Sequence, residues 1–127
     1  MCIRDRFHNA KEGSVYIDNS TVSAEISREL YKAAKDKGFG FLDAPISGGQ
    51  SGAEGGILTV MVGGDDDDFK KAEPIIDCYS KKVTLIGPSG SGQLTKMVNQ
   101  MCIGGFCLLY TSPSPRDLST SRMPSSA

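Results

Sequence analysis

Residues 43–64, DAPISGGQSGAEGGILTVMVGG, set a dense cluster of small residues between two apolar runs. Ile57-Leu58-Thr59-Val60-Met61-Val62 is apolar nearly throughout, as a strand covered on both faces is, and Gly63-Gly64 ends it. Ahead of that strand, Ser47, Gly48, Gly49, Gly52, Gly55 and Gly56 have little or no side chain to obstruct a ligand. Glycine reaches the positive-φ geometries in which successive N–H groups converge on an anion. The cluster alone leaves two readings open, an anion cradle and an ordinary glycine-rich loop.

Outward from this stretch the chain alternates strand and helix patterns. Val15-Tyr16-Ile17 is a β-favouring run, and Asp18-Asn19-Ser20-Thr21 follows with turn and cap chemistry. Ile26, Leu30, Ala33 and Ala34 then recur at helical spacing, with Glu25 in the first turn, Lys35 and Lys37 in the last, and Gly38 as the stop. Phe39 to Leu42 is a second strand, and 57–62 a third. Asp65 to Asp68 open a helical pattern of Phe69, Ala72, Ile75, Ile76 and Tyr79, where carboxylates suit a helix N-terminus better than a metal site. Pro74 should kink or restart that helix, because it lacks a donor and crowds the carbonyl one turn earlier. Val83 to Ile86 is a fourth strand, residues 87–92 a flexible link, and Gln93 to about Gly104 a last helix. The order strand, helix, strand, strand, helix, strand, helix indicates an α/β protein built on a parallel sheet.

The length of 127 residues accommodates one domain, and a formal charge of −1 with no basic stripe gives no support to nucleic acid binding. The longest apolar run, Met101 to Tyr110, is too short to span a bilayer, and the N-terminus lacks a signal-peptide core, so a cytoplasmic protein without membrane attachment is expected. Cys2, Cys78, Cys102 and Cys107 form no CxxC pair and no Cys/His set with zinc spacing, so they read as reduced thiols and no metal is expected. Residues 111–127, TSPSPRDLSTSRMPSSA, are dominated by Ser, Pro and Arg and cannot bury a core, so a disordered tail is expected. The head MCIRDR and the segment CLLYTSPSPRD resemble translated sequencing-adapter sequence, and neither end is then expected to belong to the gene. A natural polar arm and tail is the alternative.

In the last helix, Leu94, Met97, Val98 and Met101 fall at i, i+3, i+4 and i+7 and are expected to be buried, which puts Lys96 on the other face. Asn99 and Gln100 lie beside it, so an ammonium donor and two carboxamides point the same way. The spacing alone fits a solvated helix face as well as a site.

Residues 13–105 resemble the middle of a β-hydroxyacid dehydrogenase, the family of 3-hydroxyisobutyrate dehydrogenase, tartronate semialdehyde reductase and the more distant 6-phosphogluconate dehydrogenase. Three blocks carry the likeness: IDNST at 17–21 resembles a D-x-S-T segment, DAPISGGQSGAEGG a substrate-binding block, and GSGQLTKMVNQ at 90–100 a G-x-G-x-x-x-K-x-x-N block. The resemblance implies that Lys96 is the catalytic general acid/base, that Ser47, Gly48, Gly49 and Asn99 hold the substrate, and that Ser20 and Thr21 sit by the nicotinamide of NAD or NADP. A lysine ammonium can protonate a carbonyl oxygen as hydride arrives and can stabilise developing alkoxide charge. The substrate implied is a short β-hydroxy acid, and the parent enzyme a homo-oligomer. Gln100 and Ala24 depart from the family pattern, which has asparagine and proline at those places in many members.

The family opens with a βαβ unit whose G-x-G-x-x-G turn holds the cofactor pyrophosphate, and no such turn occurs in these residues. The expected organisation is therefore a non-native or irregular head (1–12), the C-terminal part of a Rossmann-like dinucleotide-binding domain (13–88), the start of a long interdomain helix (89–106) and an artefactual or disordered tail (107–127). On this reading the chain is an internal fragment, inactive by itself. A 6-phosphogluconate dehydrogenase-like enzyme is the alternative within the class, disfavoured by Asn99 where those enzymes resemble one another in having histidine. A non-catalytic carboxylate-binding or interaction module of the same fold is the alternative outside it.

Overall fold

The structure is a computed structural model and describes residues 10–111. The chain runs β1 (Val15–Asp18), α1 (Ala24–Lys35), β2 (Gly40–Asp43), β3 (Ile46–Ser47), α2 (Gly49–Glu54), β4 (Leu58–Gly63), α3 (Asp66–Ile76), β5 (Ser80–Gly87) and α4 (Ser91–Thr111).

β1 and β2 pair in parallel, Val15 opposite Gly40 through Asp18 opposite Asp43. β4 and β5 are also parallel, with Val62 opposite Leu85. The two pairs are joined antiparallel: Asp43 faces Gly63, Ile46 faces Val60 and Ser47 faces Thr59. One register holds on both sides of Ala44-Pro45, and Met61 N donates to the Pro45 carbonyl between them at 3.1 Å. β2 and β3 are thus one strand broken at a residue that has no N–H to give. The sheet is mixed, which corrects the parallel sheet expected from sequence. Residues 48–57 are too short for the crossover that a parallel return onto β4 would need.

The sheet is covered on both faces, and neighbouring β2 residues point to opposite sides. Leu42 joins Ala44, Val60, Val62, Ala72 and Ile76 in a core under α3, while Phe41 joins Leu30, Ala34 and Phe39 under α1. The buried face of α1 is Ala24, Ser27, Leu30 and Ala34 rather than the expected stripe, and Ile26 is 48% exposed. Ser23 caps this helix by accepting from Ile26 N.

The small-residue cluster forms a short helix, α2, that sequence propensity did not foretell. Gly48 (φ +139°) and Gly49 (φ +62°) turn the chain out of β3, and at the far end Ile57 N donates to Gly52 O and Gly56 N to Ala53 O. That pair of bonds, with Gly56 at φ +62°, closes the helix.

The acidic run opens α3 as expected, with Asp66, Asp67 and Asp68 in its first turn. Asp65 and Asp68 are taken up by α1: Lys35 Nζ lies 2.6 Å from Asp65 and 3.0 Å from Asp68, and Tyr31 OH donates to Asp65 at 2.9 Å. A Cβ on Gly40 would lie 2.6 Å from Asp68 Oδ1, so glycine makes room for the clasp. Pro74 stands two residues before the helix ends, and α3 runs through it as one helix. Lys35 holds the Asp65 carboxyl below its ordinary value. A carboxyl depressed on folding contributes stability above its unfolded value, near pH 3.9, and loses it as pH falls through the folded value. Asp65 and Lys35 are both more than a third exposed, so the effect is screened. The apparent melting temperature is expected to fall more steeply below about pH 4 in the wild type than in Asp65→Asn. Parallel pH profiles for the two would refute the assignment.

α4 reaches Thr111, so residues 107–111, grouped with the tail for their resemblance to adapter sequence, are helical. Phe106 to Tyr110 offer apolar residues with no glycine or proline among them, and the first proline beyond them is Pro113. Residues 1–9 and 112–127, with the adapter-like head and most of the expected disordered tail, lie outside the described residues. Among the described residues no helix is long and apolar enough to cross a membrane.

Candidate functional site

The strand registers place Asp18, Asp43, Gly63 and Gly87 in one row across the sheet, each the last residue of its strand. The N-terminus of α4 docks on this row. Asp43 is fully buried there, and its Oδ1 accepts from Gly90 N at 2.7 Å and its Oδ2 from Gln93 N at 3.1 Å. Burial pushes the Asp43 carboxyl up from its ordinary value, against the downward pull of the amides of Gly90, Gln93 and Gly92. The approach needs bare backbone: a Cβ on Gly63 would lie 2.7 Å from Asp43 Oδ1, and one on Gly92 2.7 Å from the Asp43 carbonyl. Asp43 opened the stretch that decided the fold, yet its part in seating a helix fifty residues later left no signal in periodicity.

Gln93 is fully buried as well. Its Nε2 donates to the Ser20 carbonyl at 2.7 Å, and its Oε1 accepts from Val22 N at 3.2 Å. Ser20 is fixed from its other side, since its N and Oγ both donate to Asp18 Oδ1. Thr21, bracketed by the two bonds to Gln93, is exposed. Asp18 Oδ2 is buried without a hydrogen-bond partner.

Lys96 stands one turn beyond Gln93 and is half-buried, as is Asn99, whose Nδ2 donates to Gln100 Oε1 at 3.4 Å. The Lys96 side chain makes no hydrogen bond or ion pair among the described residues. The expected burial of Leu94, Met97, Val98 and Met101 is reversed: they are 45%, 47%, 59% and 74% exposed. The helix lays its Gly92-Gln93 face on the sheet because glycine permits the closest approach there and Gln93 finds partners for both ends of its amide.

Ser47 ends β3 opposite Thr59, half-buried, and Gly48 and Gly49 are exposed at the start of α2. β4 is their common support with Lys96, since β3 pairs along it and α4 packs on it. No hydrogen bond or ion pair joins Ser47, Gly48 or Gly49 to Lys96 or Asn99 among the described residues. The described residues contain no cluster of three or more His, Cys, Asp or Glu able to hold a metal ion.

A mixed sheet with helices on both faces, and loops gathered at the row of strand ends, defines a Rossmann-like α/β protein. Residues 3–87 match the family described as the NAD binding domain of 6-phosphogluconate dehydrogenase. The chain is 50% identical over 98 residues to an uncharacterized oxidoreductase of Shewanella frigidimarina, covering 77% of this chain and 34% of that protein. It is 42% identical over 93 residues to the mitochondrial 3-hydroxyisobutyrate dehydrogenase of Mus musculus, covering 73% of this chain and 28% of that one. Among solved structures, Mycobacterium tuberculosis 3-hydroxyisobutyrate dehydrogenase with L-serine superposes with a TM-score of 0.75 at 29% identity, over 91% of this chain and 45% of that one. The chain belongs to the β-hydroxyacid dehydrogenase family. It spans about a third of the length of the curated relatives it matches.

Proposed function

We propose that this span is the substrate-bearing part of an NAD(P)-dependent dehydrogenase of a short β-hydroxy acid, of the 3-hydroxyisobutyrate kind. The observation that carries the reading is the hydrogen-bonded junction at Asp43 and Gln93. It ties together the three sequence blocks IDNST, DAPISGG and GSGQLTKMVNQ. Residues 13–88 are on this reading part of the dinucleotide-binding domain, and 89–106 begin the interdomain helix. The parent enzyme is a cytoplasmic homo-oligomer.

The residues present fit the nicotinamide end of the cofactor. The buried Asp18 Oδ2 is an acceptor without a partner, and Thr21, three residues on, is exposed. Ser20 and Thr21 would hold that end, and the bound cofactor would supply a hydride as NADH or NADPH and accept one as NAD+ or NADP+ in the oxidative direction. Ser47 with the Gly48 and Gly49 amides takes the substrate carboxylate through hydroxyl and N–H donors. Asn99 orients the substrate, and Lys96 gives its ammonium proton to the carbonyl oxygen or takes the hydroxyl proton in the oxidative direction.

The same reading makes the 127-residue chain inactive by itself, because its residues include no G-x-G-x-x-G pyrophosphate turn. Titration with NADH followed by fluorescence, with a semialdehyde acid then added, is expected to give neither saturable binding nor NADH consumption. Turnover by the chain would overturn this part of the reading.

A further inference from the structure

The structure assigns Gln93 a positioning role: we propose that its carboxamide fixes the Ser20–Val22 loop to the first turn of α4, and so sets the offset between Thr21 and Lys96. The inference rests on the roles given above to Thr21 and Lys96. Gln93 is the residue whose two ends meet this loop on opposite sides of Thr21, through Ser20 O at 2.7 Å and Val22 N at 3.2 Å. Its own N–H is held by the buried Asp43. The chain of bonds from Asp43 to Gln93 to the loop thus has no free joint, and Lys96 follows within one helical turn.

A carboxamide is required because one end must donate while the other accepts. Glutamate keeps the shape but, ionised, presents oxygen to the Ser20 carbonyl. Leucine removes both bonds and leaves Ser20 O and Val22 N without this partner. A group that holds reacting parts in register acts on turnover, since a displacement of about 1 Å can cost on the order of 100-fold in rate.

Two measurements test the proposal. In the 127-residue chain, amide hydrogen exchange is followed by NMR in wild type, Gln93→Glu and Gln93→Leu. The expected result for Gln93→Leu is at least a tenfold loss of protection at Val22, with Val60 and Val62 of β4 still protected. In Gln93→Glu the Val22 bond survives, and the Ser20 and Thr21 resonances shift. Unchanged exchange at Val22, or loss of protection spread evenly through β4, would overturn a positioning role. In a full-length enzyme carrying this span, both variants are expected to lower kcat about 10- to 100-fold with KM for the hydroxy acid changed less than threefold. Unchanged kcat alongside lost Val22 protection would likewise overturn it. Failure of the functional reading gives a different pattern, in which Lys96→Ala leaves turnover intact whatever the exchange at Val22 reports.

Discussion

Replacing Lys96 with alanine in a full-length enzyme that carries this span is expected to lower kcat by roughly 10²- to 10⁴-fold, the range that a positioned acid/base supplies. The expectation rests on the acid/base role proposed above, with which the surroundings of the lysine are compatible. It is half-buried on α4, a turn from the fully buried Gln93, and no acidic side chain among the described residues occupies it. Lys35, held by Asp65 and Asp68, is the contrasting case. Lys96→Arg makes the sharper test. Arginine preserves the positive charge and can still steady an alkoxide, but it does not release its proton in the working range. Single-turnover hydride transfer is therefore expected to fall in both variants, and KM for the acid to rise in the alanine variant alone. Wild-type turnover in either variant would remove Lys96 from the chemistry.

Gly92→Ala is expected to cost about 3 kcal/mol of stability, at the upper end of what overpacking and broken buried hydrogen bonds cost. The added methyl would meet the Met61 carbonyl, the Asp43 carbonyl at 2.7 Å and Asp43 Oδ2 at 2.9 Å. The two carbonyls are backbone and cannot swing aside, and the Asp43 carboxylate is buried and held by Gly90 N and Gln93 N. The helix must back away, and the bonds from Gly90 N and Gln93 N to Asp43 go with it. For a domain of this size the loss corresponds to a drop of roughly 15 °C in Tm. Gly104→Ala in the same helix is the control, since its Cβ would meet nothing within 4 Å. There the change is expected to be neutral or to stabilise by up to about 1 kcal/mol through helix propensity. Urea midpoints for the two variants check both numbers, and equal midpoints would show that the close approach at Gly92 does not matter.

The strands and long helices were legible because their signal is local: an apolar run at 57–62, a helical period closed by Gly38, four carboxylates opening α3. Faces and joints were not. Ser27 and Gln93 are polar yet fully buried, so a period counted on apolar residues turned α1 slightly and reversed α4. Gln93 is buried because its partners Ser20 and Val22 sit more than seventy residues back, beyond the reach of any window. α2 escaped notice since its glycines oppose helix formation and its closure comes from Gly56 rather than propensity. Of the candidate site, Ser47, Lys96 and Asn99 could be singled out from the motifs, whereas the buried Asp43 and Gln93 that join the three blocks could not.

The row of strand ends carries a consequence for the order in which the molecule is assembled. Asp43 leaves the ribosome well before Gly90 and Gln93, its amide donors on the helix that follows. Until those amides arrive, a carboxylate destined for the interior has water as its best partner, and closing β2 onto β4 around it is penalised. Seating α4 supplies those amides and removes that penalty. The residue that seats α4 in the finished protein thus ties the closing of β2 on β4 to the arrival of a helix made about fifty residues later.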